Sequence, residues 1–191
     1  MLTSKKHEIL MATIKLYHEK GDSLSLDAVA KGADCSKTLI VHYYENRANL
    51  LKSCFKMVCD EVTAAFKTID PPEGTDKEAL KQYLTDLWKV YFNYLKDNPL
   101  KARFYIEYTH SPANLPPQYK TPEGMIMLAL NENFQHLVED DPHLMFDIEY
   151  MVAMANGMAA FVFSEKTEPS DELTERCSHI IMNGVVSVNK R

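Results

Sequence analysis

The residue types and spacing that most clearly indicate a function in this sequence occur in one short polar and basic segment near the N-terminus. Residues 33–36 connect two helical patterns, and the second pattern begins Lys37-Thr38-Leu39. Two short helices joined by so tight a turn predict a helix-turn-helix motif, whose second helix can lie in the DNA major groove. Polar residues at its start would meet base edges, and the cations of Lys37 and Arg47 suit phosphate oxygens. The segment therefore predicts contact with DNA.

The other residues that could carry chemistry are scattered along the chain. The sequence contains no glycine-rich phosphate loop, no GxSxG segment and no HExxH segment. His136 and His143 lack the spacing of a metal site. We therefore expect no enzyme activity, no metal and no cofactor. The four cysteines form no CxxC pair: Cys35, Cys54, Cys59 and Cys177. We expect them to be buried, inert thiols in a reduced cytosol, and a redox sensor is the less favoured alternative.

Residue patterns typical of helix starts occur next to this segment and recur through the whole chain. Ser25 can cap one helix, Thr75 and Glu78 form a capping box, and Asn98-Pro99 marks another helix start. Apolar residues between these signals follow helical spacing, and no strand pattern is found. The predicted fold class is all-α. About nine helices are expected, at 5–20, 26–33, 37–43, 47–67, 76–96, 99–110, 122–139, 142–164 and 170–189.

Composition and charge narrow the classes of protein further. The 191-residue chain is 46% apolar and 25% charged, which is typical of a soluble globular protein. No apolar run is long enough for a membrane span, and no export signal opens the chain, so a cytoplasmic location is expected. Residues 1–67 carry ten Lys/Arg against eight Asp/Glu, although the whole chain has net charge −6. A polyanionic partner would therefore sit at the N-terminal end.

The segment from Ile9 to Leu51 resembles the DNA-binding domain of the TetR family of bacterial transcription regulators. The end of the family's first helix matches residues 16–21, and its second helix matches 25–33. The turn, the recognition helix and the start of helix four match 35–37 and 40–51. The resemblance implies an N-terminal helix-turn-helix domain of three helices (1–47). It also implies a C-terminal effector-binding and dimerisation domain (48–191).

The resemblance also implies which residues meet DNA. Asp34 stands where a turn glycine is common, and aspartate tolerates the left-handed conformation such a turn needs. Val41 replaces a tyrosine that commonly touches the DNA backbone, and Tyr43 is the candidate to replace it. Ile40, Tyr44 and Leu50 are expected in the core. The implied DNA contacts are Ser25, Ser36, Lys37, Thr38, Leu39, His42, Tyr43 and Arg47.

For the C-terminal part, the resemblance implies a pocket for a small effector. The abundance of aromatic and methionine side chains there favours an apolar or aromatic effector, because ligand pockets are mostly apolar. Ordinary core packing is the alternative for each of these residues. The candidate pocket residues are Trp88, Tyr91, Phe92, Phe104, Tyr105, Tyr108, Met125, Leu128, Phe134 and Met154.

The resemblance further implies that the last two helices pair with a second subunit. Small residues at spacings of three and four support this, because they let another helix approach closely. Packing within one chain is the alternative. The expected dimer interface comprises Ala153, Gly157, Ala160, Phe161, Ile180, Ile181, Gly184, Val185 and Val188.

The sequence therefore predicts a ligand-responsive DNA-binding regulator, most simply a homodimeric repressor that an effector releases from an inverted-repeat operator. A two-fold dimer fits helix-turn-helix binding to two half-sites. The alternative from another class is an all-α small-molecule-binding or enzyme module without sequence-specific DNA binding. A narrower alternative is a regulator that has lost its effector response and acts by protein contact alone. The binding or enzyme module does not explain the ordered motif between Leu16 and Leu51.

Overall fold

The computed structural model describes most of the chain as α-helix, and no strand occurs among the described residues, as the all-α prediction requires. Described are residues 4–70, 72–109, 134–137, 139–141, 143–163 and 170–186. In chain order the helices are α1 (Lys5–Lys20), α2 (Leu26–Gly32), α3 (Lys37–Tyr44), α4 (Arg47–Phe66), α5 (Lys77–Asp97), α6 (Pro99–Thr109), α7 (Leu144–Val162) and α8 (Asp171–Val186). Residues 134–137 are also helical.

Serine side chains cap the first three helices. The backbone N–H groups of His7, Ala28 and Leu39 donate to the Oγ atoms of Ser4, Ser25 and Ser36 respectively. Each cap satisfies a donor that the first helical turn leaves without a partner. The predicted start of the second helix at Ser25 is confirmed.

The capping box predicted at Thr75 is wrong by one residue. α5 begins at Lys77 and its cap is Asp76, whose carboxylate accepts from the N–H of Ala79 at 2.8 Å. Aspartate caps helices as well as threonine does, and its negative charge is favourable at a helix N-terminus. The prediction chose between two adjacent capping residues and took the wrong one.

The described residues form two compact units, and the first combines the N-terminal helices with α6. It contains the chain up to Asp60 and the segment beginning at Pro99. Helix α1 packs against α2 and α6, and α2 packs against α3. The innermost side chains include Ile9, Ile14, Val29 and Ile40, each with no exposed surface. The predicted domain boundary at residue 47 thus falls inside this unit, at the start of α4.

Aromatic rings join α6 to α1 and α4 within the first unit. Phe104 meets Tyr17 edge-on, with ring centroids 5.2 Å apart. Phe55 of α4 stacks on Tyr105, with centroids 5.4 Å apart and the planes 7° from parallel, and also touches Tyr108. Such pairs add to the stabilisation that burial alone provides. These contacts explain why α6 belongs to the N-terminal unit.

The second unit contains the end of α4 from Glu61, α5, and the described residues from 134 onward. Its helix α8 packs against both α5 and α7. Trp88 and Phe92 lie in its interior, and the Phe92 ring contacts that of Phe163 with centroids 5.4 Å apart. Among the described residues, no helix combines the length and apolar character needed to cross a bilayer.

Candidate nucleic-acid interface

The turn between α2 and α3 has the conformation that the sequence predicted. Asp34 has φ 47°, in the left-handed region that glycine and aspartate tolerate best. The N–H of Cys35 donates to the carbonyl of Ala30 at 3.0 Å, which closes the end of α2. The chain therefore reverses within four residues and starts α3 directly. The helix-turn-helix motif is present at the predicted position.

One face of α3 anchors the helix and the other faces solvent. Ile40 and Tyr44 are buried, and Leu50 of α4 is buried with them, as predicted. The Tyr44 hydroxyl donates to the carbonyl of Lys6 at 3.2 Å, and burial raises the pKa of Tyr44 to about 12. The phenol thus remains a hydrogen-bond donor at ordinary pH. It holds the end of α3 against the start of α1.

The predicted DNA-contact residues lie at the solvent side of this motif. They are called here the recognition surface, and they comprise Ser25, Ser36, Lys37, Thr38, Leu39, His42, Tyr43 and Arg47. Ser25, Ser36, Lys37, Thr38 and His42 are exposed, while Leu39, Tyr43 and Arg47 are half-buried. Side chains of the first turn of α3 are therefore accessible to a ligand as large as a DNA duplex.

Lys37 is already paired with a carboxylate of the same unit. Its ammonium lies 2.8 Å from Oδ2 of Asp27, in the first turn of α2. The side chains remain 52% and 69% exposed, so water screens the pair strongly. A phosphate could replace the carboxylate at little cost. The sequence predicted the lysine as a contact and gave no sign of its partner.

Arg47 holds the loop that follows α1. Its guanidinium donates to the carbonyl of Gly21 at 3.1 Å and lies 3.6 Å from a carboxylate oxygen of Asp22. Its Nε is buried and has no hydrogen-bond acceptor among the described residues. Gly21 has φ 51°, a conformation that suits glycine. Arg47 thus fixes a turn in addition to presenting charge to solvent.

Lys6 is a cation at this surface that the sequence reasoning missed. Its ammonium lies 4.9 Å from the centre of the Tyr43 ring, a cation–π distance, and its side chain is exposed. The His42 ring lies beside Tyr43, with centroids 5.5 Å apart. The paired lysines at the start of α1 are the signal that could have found it. Lys6 adds positive charge where Tyr43 is a candidate phosphate contact.

The structure divides the predicted effector residues between the two units. Trp88, Tyr91, Phe92 and Phe134 are buried in the second unit, and Met154 is half-buried there. The three aromatic residues of α6 are buried in the first unit instead: Phe104, Tyr105 and Tyr108. Met125 and Leu128 lie outside the described residues.

Trp88 has a polar atom in the interior of the second unit that no described residue pairs with. The residue is 4% exposed, and its Nε1 meets no hydrogen-bond acceptor among the described residues. The rings of Tyr91 and Phe92 lie beside it, with centroids 6.0 and 5.3 Å away. The Tyr91 hydroxyl donates to Oδ1 of Asn156 at 3.2 Å. A buried donor left unpaired is unfavourable and calls for an explanation.

A cavity of about 300 Å³ lies where the α4–α5 connection meets α5 in the second unit. Its lining includes Asp70, Glu73, Tyr83 and Asp86. Within the part of the chain that is described, no group of histidine, cysteine and carboxylate side chains has the arrangement of a metal site. The cavity shares no residue with the predicted effector set.

Helix α7 exposes a stripe of apolar and small residues. Phe146, Tyr150 and Phe161 are 67%, 55% and 64% exposed, and Ala153 and Gly157 are exposed between them. Helical geometry places these five residues, called here the α7 stripe, along one side of the helix. No atom of the described chain would contact a Cβ at Gly157 within 4 Å.

Two further residues of the predicted interface are at least partly exposed. Ala160 is half-buried, and Ile180 of α8 is 47% exposed. Ile181, Gly184 and Val185 lie within α8, where the structure describes the backbone alone. Val188 lies outside the described residues.

Solved structures of TetR-family proteins are similar to this chain over nearly its whole length. A TetR family transcription regulator from Marinobacter aquaeolei VT8 is 21% identical, with a TM-score of 0.63 and 94% of each chain covered. A TetR-like transcriptional regulator from Rhodococcus sp. RHA1 is 16% identical, with a TM-score of 0.69 and 97% and 98% coverage of this chain and that one. A TetR/AcrR family regulator from Thermobifida fusca YX-ER1 is 20% identical, with a TM-score of 0.60 and 95% and 98% coverage.

The similarity lies in the course of the backbone more than in residue identities. No protein-family model and no curated protein matches the sequence. The three structures nevertheless align with 94 to 97% of this chain. The chain therefore has the fold of the TetR-family transcription regulators.

Proposed function

We propose that this protein is a DNA-binding transcription regulator that reads an inverted-repeat operator as a homodimer. The observation that carries the proposal is the recognition surface. Exposed polar and basic residues occupy the first turn of α3, and the opposite face of that helix is fixed by Ile40 and Tyr44. Such an arrangement presents side chains to base edges and phosphates from a rigid scaffold.

Repression in the cytoplasm, with release by a small effector, is the mode of action that we propose. Helix α4 runs from the first unit into the second at Asp60 and Glu61. Effector binding in the second unit would bias the protein between a state that fits two successive major grooves and one that does not. The effector can shift this balance only by its different affinity for the two states.

Pairing through the α7 stripe would supply the dimer. Large exposed apolar patches mark interaction surfaces on most proteins, and this one alternates bulky rings with an alanine and a glycine. Gly157 leaves room for the close approach of a partner helix. A two-fold dimer would match helix-turn-helix binding to two half-sites.

Lys37→Ala is the substitution that tests the recognition surface. We expect roughly tenfold weaker binding to duplex DNA and a shallower dependence of affinity on salt, because a phosphate contact is lost. Fluorescence anisotropy with a labelled duplex at several salt concentrations measures both. Lys56→Ala is the matched control, since Lys56 is an exposed lysine in α4 that also pairs with an aspartate. Equal affinity of the two variants would contradict the assignment of Lys37.

We further propose that the effector contacts Trp88 with a hydrogen-bond acceptor. The unpaired Nε1 of Trp88 is a buried donor, and the surrounding aromatic rings suit an apolar or aromatic body. The expected effector is therefore an aromatic or apolar molecule that carries a carbonyl, carboxylate or ether oxygen. Its polar atom would satisfy the indole N–H, for which the described residues provide no acceptor.

Trp88 is also the one tryptophan of the chain, so its emission reports on this site alone. We expect compounds that release the protein from DNA to change Trp88 emission and raise the melting temperature. A panel of aromatic acids, ketones and matching hydrocarbons provides the test, with Trp88→Phe as the variant that should bind the oxygen-bearing members less tightly. Release of DNA without any change in Trp88 emission would place the effector elsewhere.

A further inference from the structure

We propose that Asp27 is an internal competitor of DNA phosphates for Lys37, and that it lowers the affinity of the protein for duplex DNA. The inference rests on the proposed function and assigns a role to a residue outside the predicted contact set. Asp27 Oδ2 lies 2.8 Å from the Lys37 ammonium, so it occupies the position a phosphate oxygen would take on that cation. The carboxylate thus mimics the ligand.

Asp27 also lies next to another predicted DNA contact. It is the second residue of α2, whose N-cap is Ser25. A DNA phosphate that approaches Lys37 therefore also approaches the negative charge of Asp27. Replacing Asp27 with a neutral side chain would remove this repulsion in addition to freeing Lys37.

The exposure of the Lys37–Asp27 ion pair means that the pair contributes little to the stability of the fold. Lys37 and Asp27 are 52% and 69% exposed, and exposed ion pairs contribute little to folding because water and salt screen them. The pair can therefore open when DNA arrives without loss of the fold. Its effect is instead on the free energy of DNA binding, since Lys37 must exchange one anion for another.

A second cation of the recognition surface, Arg47, also lies near a carboxylate, but at a longer distance. Arg47 lies 3.6 Å from the carboxylate of Asp22, which is 94% exposed. Arg47 also holds the Gly21 carbonyl, so a substitution there would mix loop stability with charge. Asp27 has no such second task among the described contacts. It is therefore the residue at which the competition can be tested alone.

Random-sequence DNA is the ligand on which this competition is measured most directly. Binding to random sequence consists almost entirely of phosphate contacts, whereas operator binding also includes contacts with base edges. On a random-sequence duplex, a change in affinity therefore reports the exchange of the Asp27 carboxylate for a phosphate, with no contribution from base contacts.

The test compares Asp27→Asn with the wild-type protein on a random-sequence duplex of about 30 base pairs, between about 50 and 200 mM salt. We expect the variant to bind about three- to tenfold tighter at the lowest salt, with a steeper slope of log affinity against log salt. Asp60→Asn is the matched control, because it removes the same charge from an exposed pair with Lys56 in α4. That variant should bind like the wild type.

A second variant separates the pair from a general charge effect. In a Lys37→Ala background, Asp27→Asn should gain clearly less affinity than it does in the wild type, because no ammonium remains to be freed. Unchanged or weaker binding by Asp27→Asn, when the wild-type protein does bind the duplex, overturns this inference and leaves the proposed function intact. Failure of both folded proteins to bind any duplex overturns the proposed function and this inference with it.

Discussion

Replacing Phe55 with alanine is expected to lower the free energy of unfolding by about 3–5 kcal/mol, the usual cost of deleting a buried aromatic side chain. Phe55 is 1% exposed and fills the space between α4 and α6, where it meets Tyr105 and Tyr108. The alanine variant would leave a cavity between those rings. Chemical denaturation followed by circular dichroism measures the loss.

Lys52→Ala is the control for Phe55→Ala, because Lys52 is exposed on the same helix. It should change stability by less than about 0.5 kcal/mol, as exposed substitutions usually do. A loss below about 1 kcal/mol for Phe55→Ala would mean that α6 does not pack on α4 as described. The N-terminal unit would then have to be redefined without α6.

Gly157→Arg is expected to convert the proposed dimer to monomers while leaving the protomer folded. No described atom would meet a Cβ at this position, and arginine favours helix over glycine by up to about 1 kcal/mol. A long charged side chain in the α7 stripe would nevertheless keep a partner helix away. Sedimentation velocity would report a monomer, and melting would report an unchanged or slightly more stable chain.

Loss of the dimer should also weaken operator binding by about 100-fold or more, because two linked half-site contacts become independent. Ala64→Arg is the matched control, since it places the same side chain at an exposed helical position in α4. That variant should remain dimeric and bind as the wild type does. A Gly157→Arg protein that stays dimeric would show that subunits pair through another surface.

Local signals explain why the helices and the helix-turn-helix motif were predictable. Ser25 and Ser36 cap the helices that follow them, and Asp34 takes the left-handed conformation its position demands. These effects depend on residues within a few positions of one another. The same local rule erred at Asp76, because Thr75 beside it satisfies the same requirement.

The contact partners of charged and aromatic residues could not be predicted from the sequence, because they depend on which helices meet in space. Spacing marks Tyr105 as an inward-facing residue of a helix but cannot show that it meets Phe55 rather than residues of the second unit. The same holds for Lys37 and Asp27, which are ten residues apart and on different helices. The candidate contacts were therefore predictable as residue types, whereas their pairing was not.

Selection of duplex DNA from a random pool on the purified protein, with sequencing of the retained fraction, is the decisive measurement of whether this protein reads an operator. We expect enrichment of an inverted repeat whose half-sites lie about one helical turn or a multiple of it apart, as two recognition helices on one face of the duplex require. At the same salt concentration, Lys37→Ala should retain less of the enriched DNA than the wild type, and Lys56→Ala should retain as much. Absence of any enriched sequence from folded, dimeric protein would contradict the proposed function and favour an all-α small-molecule-binding or enzyme module.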